Sequence, residues 1–285
     1  RSDPLFRVAI RGEGLGQVAV RWLSMDLAFD AETVSVETGG DVARIAVNRP
    51  DSLNALDVET LGSLADAFSA AEDAGARAVV LTGAGEKAFV AGADIVHMSE
   101  MSTPEALAYA EMGHRLCRQI EEFPAPVVAA VNGYAFGGGC ELALACDLRV
   151  ASERALVGQT EVNLGIIPGW GGTQRLPRLV GDELARRMIF FSERVDASDA
   201  HEYGLIGEIV AHDELDERVR EMAAQLAAKP QHALKAAKDA LNATHESSLT
   251  SGLAYERRTF AGLFGTHDQR EGMAAFTEDR DPEFE

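Results

Sequence analysis

From residue 33 the chain alternates. Residues 33–37 read Thr-Val-Ser-Val-Glu, the two-residue period of a half-covered strand. Gly39-Gly40-Asp41 turns, residues 42–47 return as a second strand, and Asn48-Arg49-Pro50 breaks it. Asp57 then stands where a helix cap belongs, ahead of Val58, Leu61, Leu64, Ala65, Phe68 and Ala71 at helical spacing. Residues 78–81 predict a third strand and 83–92 a loop with three glycines. Ala93-Asp94-Ile95 opens a further helix. Residues 104–123 predict a long one, with Leu107, Ala110, Met112, Leu116 and Ile120 on its buried side and Pro124 and Pro126 beyond its end.

The apolar run 127–131 reads as a short buried strand, followed by an Asn132-Gly133 turn. Strands follow at 148–151 and 155–158, and residues 163–172 form a loop rich in Gly and Pro. The remainder is mostly helical: 182–191, 197–203, a last strand at 205–210, then helices at 214–228, 231–242, 249–264 and 268–276. A β-β-α-β beginning with helices at the end predicts a layered α/β architecture. Three stretches follow: an extension at 1–24 outside the fold, a core at 25–212 that carries the site, and a helical assembly region at 213–285. Helices with broad apolar faces need a core or a sister subunit to pack on.

Composition narrows this picture. At 285 residues and 46% hydrophobic the chain can bury one large core. No apolar run approaches the ~20 residues of a membrane span. Cys117, Cys140 and Cys146 are an odd number without metal or disulfide spacing, which points to a reducing, cytoplasmic setting. The seven histidines are scattered, so no metal site is expected. Net charge is −20, and lysine occurs only at 87, 229, 235 and 238. Such a surface disfavours nucleic acid as a partner. It suits a salt-adapted, halophilic protein, because molar salt screens its self-repulsion. Residues 1–24 are arginine-rich and precede Met25. The expectation is an addition upstream of a natural start and not a targeting peptide.

The densest candidate chemistry lies at 135–147, AFGGGCELALACD. A strand that runs through Gly137, Gly138 and Gly139 into a helix leaves amide N–H groups free at the helix start, where they and the helix dipole stabilise an anion. Glu141 falls in the first turn of that helix. A second glycine turn precedes Ala93, so two backbone donors can converge on one carbonyl oxygen as it becomes an enolate. Glu161 is a second carboxylate, in Gly158-Gln159-Thr160-Glu161. If Glu141 and Glu161 face each other across a water molecule, one can take its proton while the other protonates carbon.

Five blocks in order carry a resemblance: Asn48-Arg49-Pro50 with Leu53-Asn54-Ala55-Leu56; Ala91-Gly92-Ala93-Asp94-Ile95; 137–141 with Cys146-Asp147; Ile167-Pro168-Gly169 with Gly171-Gly172-Thr173-Gln174-Arg175-Leu176; and Asp268 with Glu271-Gly272-Met273-Ala274-Ala275-Phe276. Together they resemble the enoyl-CoA hydratase/isomerase, or crotonase, family. The resemblance implies an α/β fold: a right-handed spiral of ββα units with a helical C-terminal trimerisation region, and trimers that stack into hexamers. It implies an acyl-CoA substrate and no cofactor beyond the coenzyme A of that substrate. It also implies a place in fatty-acid metabolism and β-oxidation. The oxyanion donors fall on the Ala93 and Gly138 amides and the catalytic pair on Glu141 and Glu161. Ala91, Asp94, Ile95 and Leu53 fall on the segment beside the CoA.

Both Glu positions are filled, which favours hydration of a trans-2-enoyl-CoA, or the reverse dehydration, over the other chemistries of a varied family. On that reading Glu141 activates the water and Glu161 protonates the α-carbon. The alternatives are a Δ3,Δ2-enoyl-CoA isomerase, a specialised hydratase of short or branched acyl chains and, remotely, an RNA-binding homologue or an inactive scaffold. Three features depart from the family. Asp51 follows the Asn-Arg-Pro block, and Glu278-Asp279-Arg280 replaces a basic tail, leaving Arg280 to meet the CoA phosphates. Trp170 stands where smaller residues are common; it either shortens the acyl pocket, favouring crotonyl-sized chains, or packs elsewhere.

Overall fold

A computed structural model describes residues 27–285. The expected extension at 1–24 lies outside the described residues. Among the described residues there are ten strands: β1 (Val34–Gly39), β2 (Val42–Val47), β3 (Ala78–Gly83), β4 (Ala88–Val90), β5 (Val127–Val131), β6 (Tyr134–Phe136), β7 (Leu148–Ser152), β8 (Leu156–Gly158), β9 (Arg194–Asp196) and β10 (Glu208–Val210). The helices of the first half are α1 (Val58–Asp73), α2 (Ile95–Ser99), α3 (Thr103–Glu122) and α4 (Gly138–Ala145). Those of the second are α5 (Gly172–Val180), α6 (Asp182–Phe190), α7 (Ala197–Glu202), α8 (Leu215–Ala227), α9 (Gln231–Asn242), α10 (Leu249–Leu263) and α11 (His267–Glu278).

Six strands form one sheet in the order β1-β2-β3-β5-β7-β10, parallel except for the β1–β2 hairpin. Four short strands form a second, β4-β6-β8-β9. The chain passes three times from the first sheet to the second and on to helix: β3 to β4, β5 to β6, β7 to β8. This is the repeated ββα turn that the resemblance implies. β3 and β5 are buried along their whole length, which is why they read as unbroken apolar runs and not as alternation.

One face of the large sheet carries α1, α3 and α4 in the main core. The other is closed by α8, whose Leu215, Val219, Ala223 and Ala227 meet Ala78, Val80, Val128, Ala130 and Val150. The expected boundary at 212 thus falls just ahead of a helix that packs on the sheet. Beyond it, α9–α11 leave Leu241, Leu249, Leu253, Phe260, Phe264, Met273 and Phe276 exposed. Buried Lys238 on α9 ties that region back: its Nζ donates to the Ile120 and Ala125 carbonyls and to Asp147 Oδ2 (2.7 Å).

Local chemistry accounts for most boundaries. Asp57 caps α1 by accepting from the Thr60 amide at 2.8 Å. The Ser102 amide donates to Glu105 Oε2 at 2.7 Å at the start of α3. Four expectations are corrected. Val58 is exposed at the first position of α1, ahead of its buried Leu61, Leu64, Phe68 and Ala71, and Leu107 is exposed because α3 buries Tyr109, Gly113, Leu116, Cys117 and Ile120, off whose stripe it lies. The 83–92 loop contains β4, and β9 lies between α6 and α7; each is three residues long, too short to show a period. Residues 173–180, to which the sequence pattern assigns no element, form the body of α5, with Pro177 inside it.

Candidate active site

Two glycine turns meet where the two sheets face α3 and α4. The first is held by Leu56. Its amide donates to the Gly92 carbonyl (2.9 Å) and its carbonyl accepts from the Asp94 amide (2.8 Å), as in a parallel strand pair. Residue 93, between these two contacts, therefore turns its own N–H away from Leu56. The second turn follows β6. Gly137 has φ +50, and α4 begins at Gly138, whose amide has no preceding helical carbonyl to donate to. Each of the three glycines meets a close neighbour. A Cβ would lie 3.0 Å from Glu161 Oε1 at Gly137, 2.2 Å from the Trp170 ring at Gly138 and 2.0 Å from the Val90 carbonyl at Gly139.

Between these turns lies a cavity of about 360 Å³. Ala91, Ala93, Ile95, Tyr109, Gly138, Glu141, Glu161 and Trp170 are among its walls. A larger cavity of about 430 Å³ between the β1–β2 hairpin and α8 brings no such groups together. Its Arg44 is already paired with Glu37 and Asp216.

Glu141 is almost fully buried in the first turn of α4. Its Oε1 accepts from the Trp170 and Gly172 amides, both at 2.7 Å. Burial pushes its carboxyl up, and the two amide bonds oppose that rise. Because amides only donate, a proton on Glu141 can sit only on Oε2. Glu161 opens a short 3-10 turn, Glu161–Leu164. Burial, and then the neighbouring Glu141 charge, push it up to about 7. Gln159 is wholly buried beside it. With its amide turned to satisfy both groups, Gln159 donates to Glu161 Oε1 (3.0 Å) and Oε2 (3.2 Å). The charge on Glu141 thus raises the cost of ionising Glu161.

Sequence and site agree on one more point. The family model for enoyl-CoA hydratase/isomerase matches residues 37–285. The chain belongs to this family. Within it, the chain is 43% identical over 253 residues to a short-chain-enoyl-CoA hydratase of Clostridium acetobutylicum, covering 88% of this chain and 97% of that protein. A crotonyl-CoA hydratase of Syntrophomonas wolfei is 41% identical over 254 residues, with 89% and 98% covered. Among solved structures, the enoyl-CoA hydratase of Bacillus anthracis superposes with a TM-score of 0.85 at 40% identity, covering 89% of this chain and 99% of that one. DspI of Pseudomonas aeruginosa reaches 0.87 at 36% identity, with 91% and 99% covered.

The positions carried over from the family divide in two. Ala93, Gly138, Glu141, Glu161, Ala91, Ile95 and Trp170 line one cavity. Asp94, Leu53 and Arg280 do not. The Asp94 carboxylate caps α2, accepting from the Val96 and His97 amides, and pairs with Arg49 at 3.3 Å. The Leu53 carbonyl accepts from the Ala91 amide, so it shapes the neighbouring strand. Arg280 is engaged by Glu271 at 2.6 and 2.9 Å and by Glu278 at 2.7 Å. Gln159, and the amides of Trp170 and Gly172 that hold Glu141, were not picked out as site elements from the sequence. Backbone donors leave no residue-type signal to find. Among the described residues no group of three or more His, Cys, Asp or Glu is placed to hold a metal ion, and no helix is long and apolar enough to cross a membrane.

Proposed function

We propose that this protein is a short-chain enoyl-CoA hydratase. It adds water across the trans-2 double bond of a crotonyl-sized acyl-CoA and, in reverse, dehydrates the 3-hydroxyacyl-CoA. The observation that carries the reading is the convergence of two carboxylates and two undonated amides on one cavity. The thioester oxygen sits between the Ala93 and Gly138 N–H groups, which stabilise the charge it gains. Glu141 takes a proton from water as its oxygen bonds to the β-carbon, and the electron pair of the double bond moves into the thioester as an enolate. Glu161 delivers its proton to the α-carbon, so that O–H breaks and C–O and C–H form. The amide bonds to Glu141 favour its charged form, and the raised carboxyl of Glu161 favours a held proton, which suits this division of roles. The chemistry draws only on the acyl-CoA and water.

The short-chain limit rests on Trp170, whose buried ring fills the cavity wall against Gly113 and Gly138. The unmet apolar faces of α9–α11 support a homo-oligomer, a trimer or a hexamer of two trimers. The charge of −20 supports work in concentrated salt. The deciding experiment follows the loss of enoyl-thioester absorbance with crotonyl-CoA in concentrated KCl. Rapid loss with formation of 3-hydroxybutyryl-CoA is expected. A folded, inert protein would return the choice to the isomerase and to longer or branched substrates.

A further inference from the structure

Tyr109 has no role in the proposed reaction, yet it touches both halves of the site. It lies on the buried stripe of α3 and lines the cavity. Its hydroxyl donates to the Leu56 carbonyl at 2.6 Å. That carbonyl also accepts the Asp94 amide, and the pairing with Leu56 turns the N–H of cavity-lining Ala93 away from Leu56. The Tyr109 ring meets Trp170 edge-on, centroids 5.4 Å apart at 66°. Trp170 in turn donates its amide to Glu141 Oε1. Space for this contact is set by Gly113, one turn along α3, where a Cβ would lie 2.2 Å from the Trp170 ring.

We propose that Tyr109 is a positioning residue that registers the Ala93 oxyanion donor against the Glu141 carboxylate, through Leu56 on one side and Trp170 on the other. Burial pushes its phenol well above the ordinary range, with the Asp57 and Asp94 charges adding to the rise. The phenol therefore stays protonated and a donor, and it takes no part in proton transfer. The Leu56 carbonyl with two donors is pinned more firmly than one held by Asp94 alone, and a small tilt of residues 92–94 would misaim the Ala93 N–H. The role rests on the hydratase reading, since it presumes a thioester oxygen at Ala93.

The test is Tyr109→Phe, which keeps the ring against Trp170 and deletes the hydroxyl. Two readouts are used: steady-state hydration of crotonyl-CoA, and the red shift of the thioester C=O stretch of bound butyryl-CoA, a probe of crotonyl size with no double bond to hydrate, whose carbonyl is polarised by the oxyanion donors. Exposed Leu107→Ala on the same helix is the control and keeps wild-type values. The expected result is a kcat lower by about tenfold with KM nearly unchanged, and a smaller red shift. Wild-type kcat with a full red shift overturns the proposal. So does a rise in KM with the red shift intact, which would mark a purely structural side chain. If Tyr109→Phe does not fold, Tyr109→Met, which also lacks the hydroxyl, takes its place. A wild type that binds the probe with a red shift but hydrates nothing overturns the hydratase reading and leaves the positioning of Ala93 measurable.

Discussion

The Trp170 amide nitrogen lies 2.7 Å from Glu141 Oε1, so one residue both orients the carboxylate proposed to activate water and walls the cavity beside it. The backbone of Trp170 serves Glu141, while its ring packs on Gly138, whose amide is a proposed oxyanion donor. The side chain can be altered without removing the amide bond. Trp170→Ala is expected to lower kcat on crotonyl-CoA and to raise the octenoyl-to-crotonyl ratio of kcat/KM by roughly tenfold or more. An unchanged ratio across a chain-length series would show that the ring does not limit the acyl chain.

Glu141→Gln and Glu161→Gln each remove an acid/base group while keeping its shape. Each is expected to lower kcat by about 10²–10⁴-fold, and the double variant to lose far less than the product of the two, because the pair acts as a unit. Stopped-time assays of all four proteins decide this, and strictly multiplicative losses would argue for independent roles.

The raised carboxyl of Glu161, about 7, sets a pH dependence whose sign reverses with direction. On the proposed mechanism hydration uses its protonated form, so kcat/KM for hydration should fall as pH rises through about 7. Dehydration uses the ionised form and should fall as pH drops through the same region. Profiles measured both ways with crotonyl-CoA and 3-hydroxybutyryl-CoA test this.

The same group affects stability. Below its ordinary value of 4.5, Glu161 is protonated in both folded and unfolded chains and contributes no difference. Between 4.5 and about 7 the unfolded chain ionises it and the folded chain resists, so stability is lost, and the loss is complete above about 7. Glu161→Gln should therefore melt higher than wild type above neutral pH and converge with it in acid, the familiar conflict between an active site and a stable one. Thermal melts across pH check this.

Lys238 and Asp147 are 2.7 Å apart, with the Lys238 side chain buried. Lys238→Met leaves the Asp147 carboxylate without its cation and should cost roughly 3–5 kcal/mol by denaturant titration. The Lys238→Met, Asp147→Asn pair should recover part of that. Equal losses for single and double variants would deny the coupling.

The surface charge makes a prediction of its own. Coenzyme A is an anion, and a protein of net charge −20 repels it at low salt. Apparent affinity for crotonyl-CoA is expected to improve as KCl rises toward molar, read as KM. A flat or opposite trend would remove the case for salt adaptation.

The order of the elements, the Asp57 cap, the GGG turn into α4 and the two carboxylates are all legible along the chain. They rest on local rules: side-chain period, caps and glycine geometry act within a few residues and leave their mark in residue type. Tertiary structure decided the rest. It alone brings Glu141 and Glu161, 20 positions apart in the numbering, to one cavity. It turns the Ala93 amide by way of Leu56, more than 30 positions earlier, and sends Arg280 to Glu271 and not to the cavity. Backbone amides are the same at every residue, so the sequence carries no sign of which of them face a carboxylate. The short strands β4 and β9 likewise exist because a neighbouring strand pairs with them, and three residues hold no period of their own.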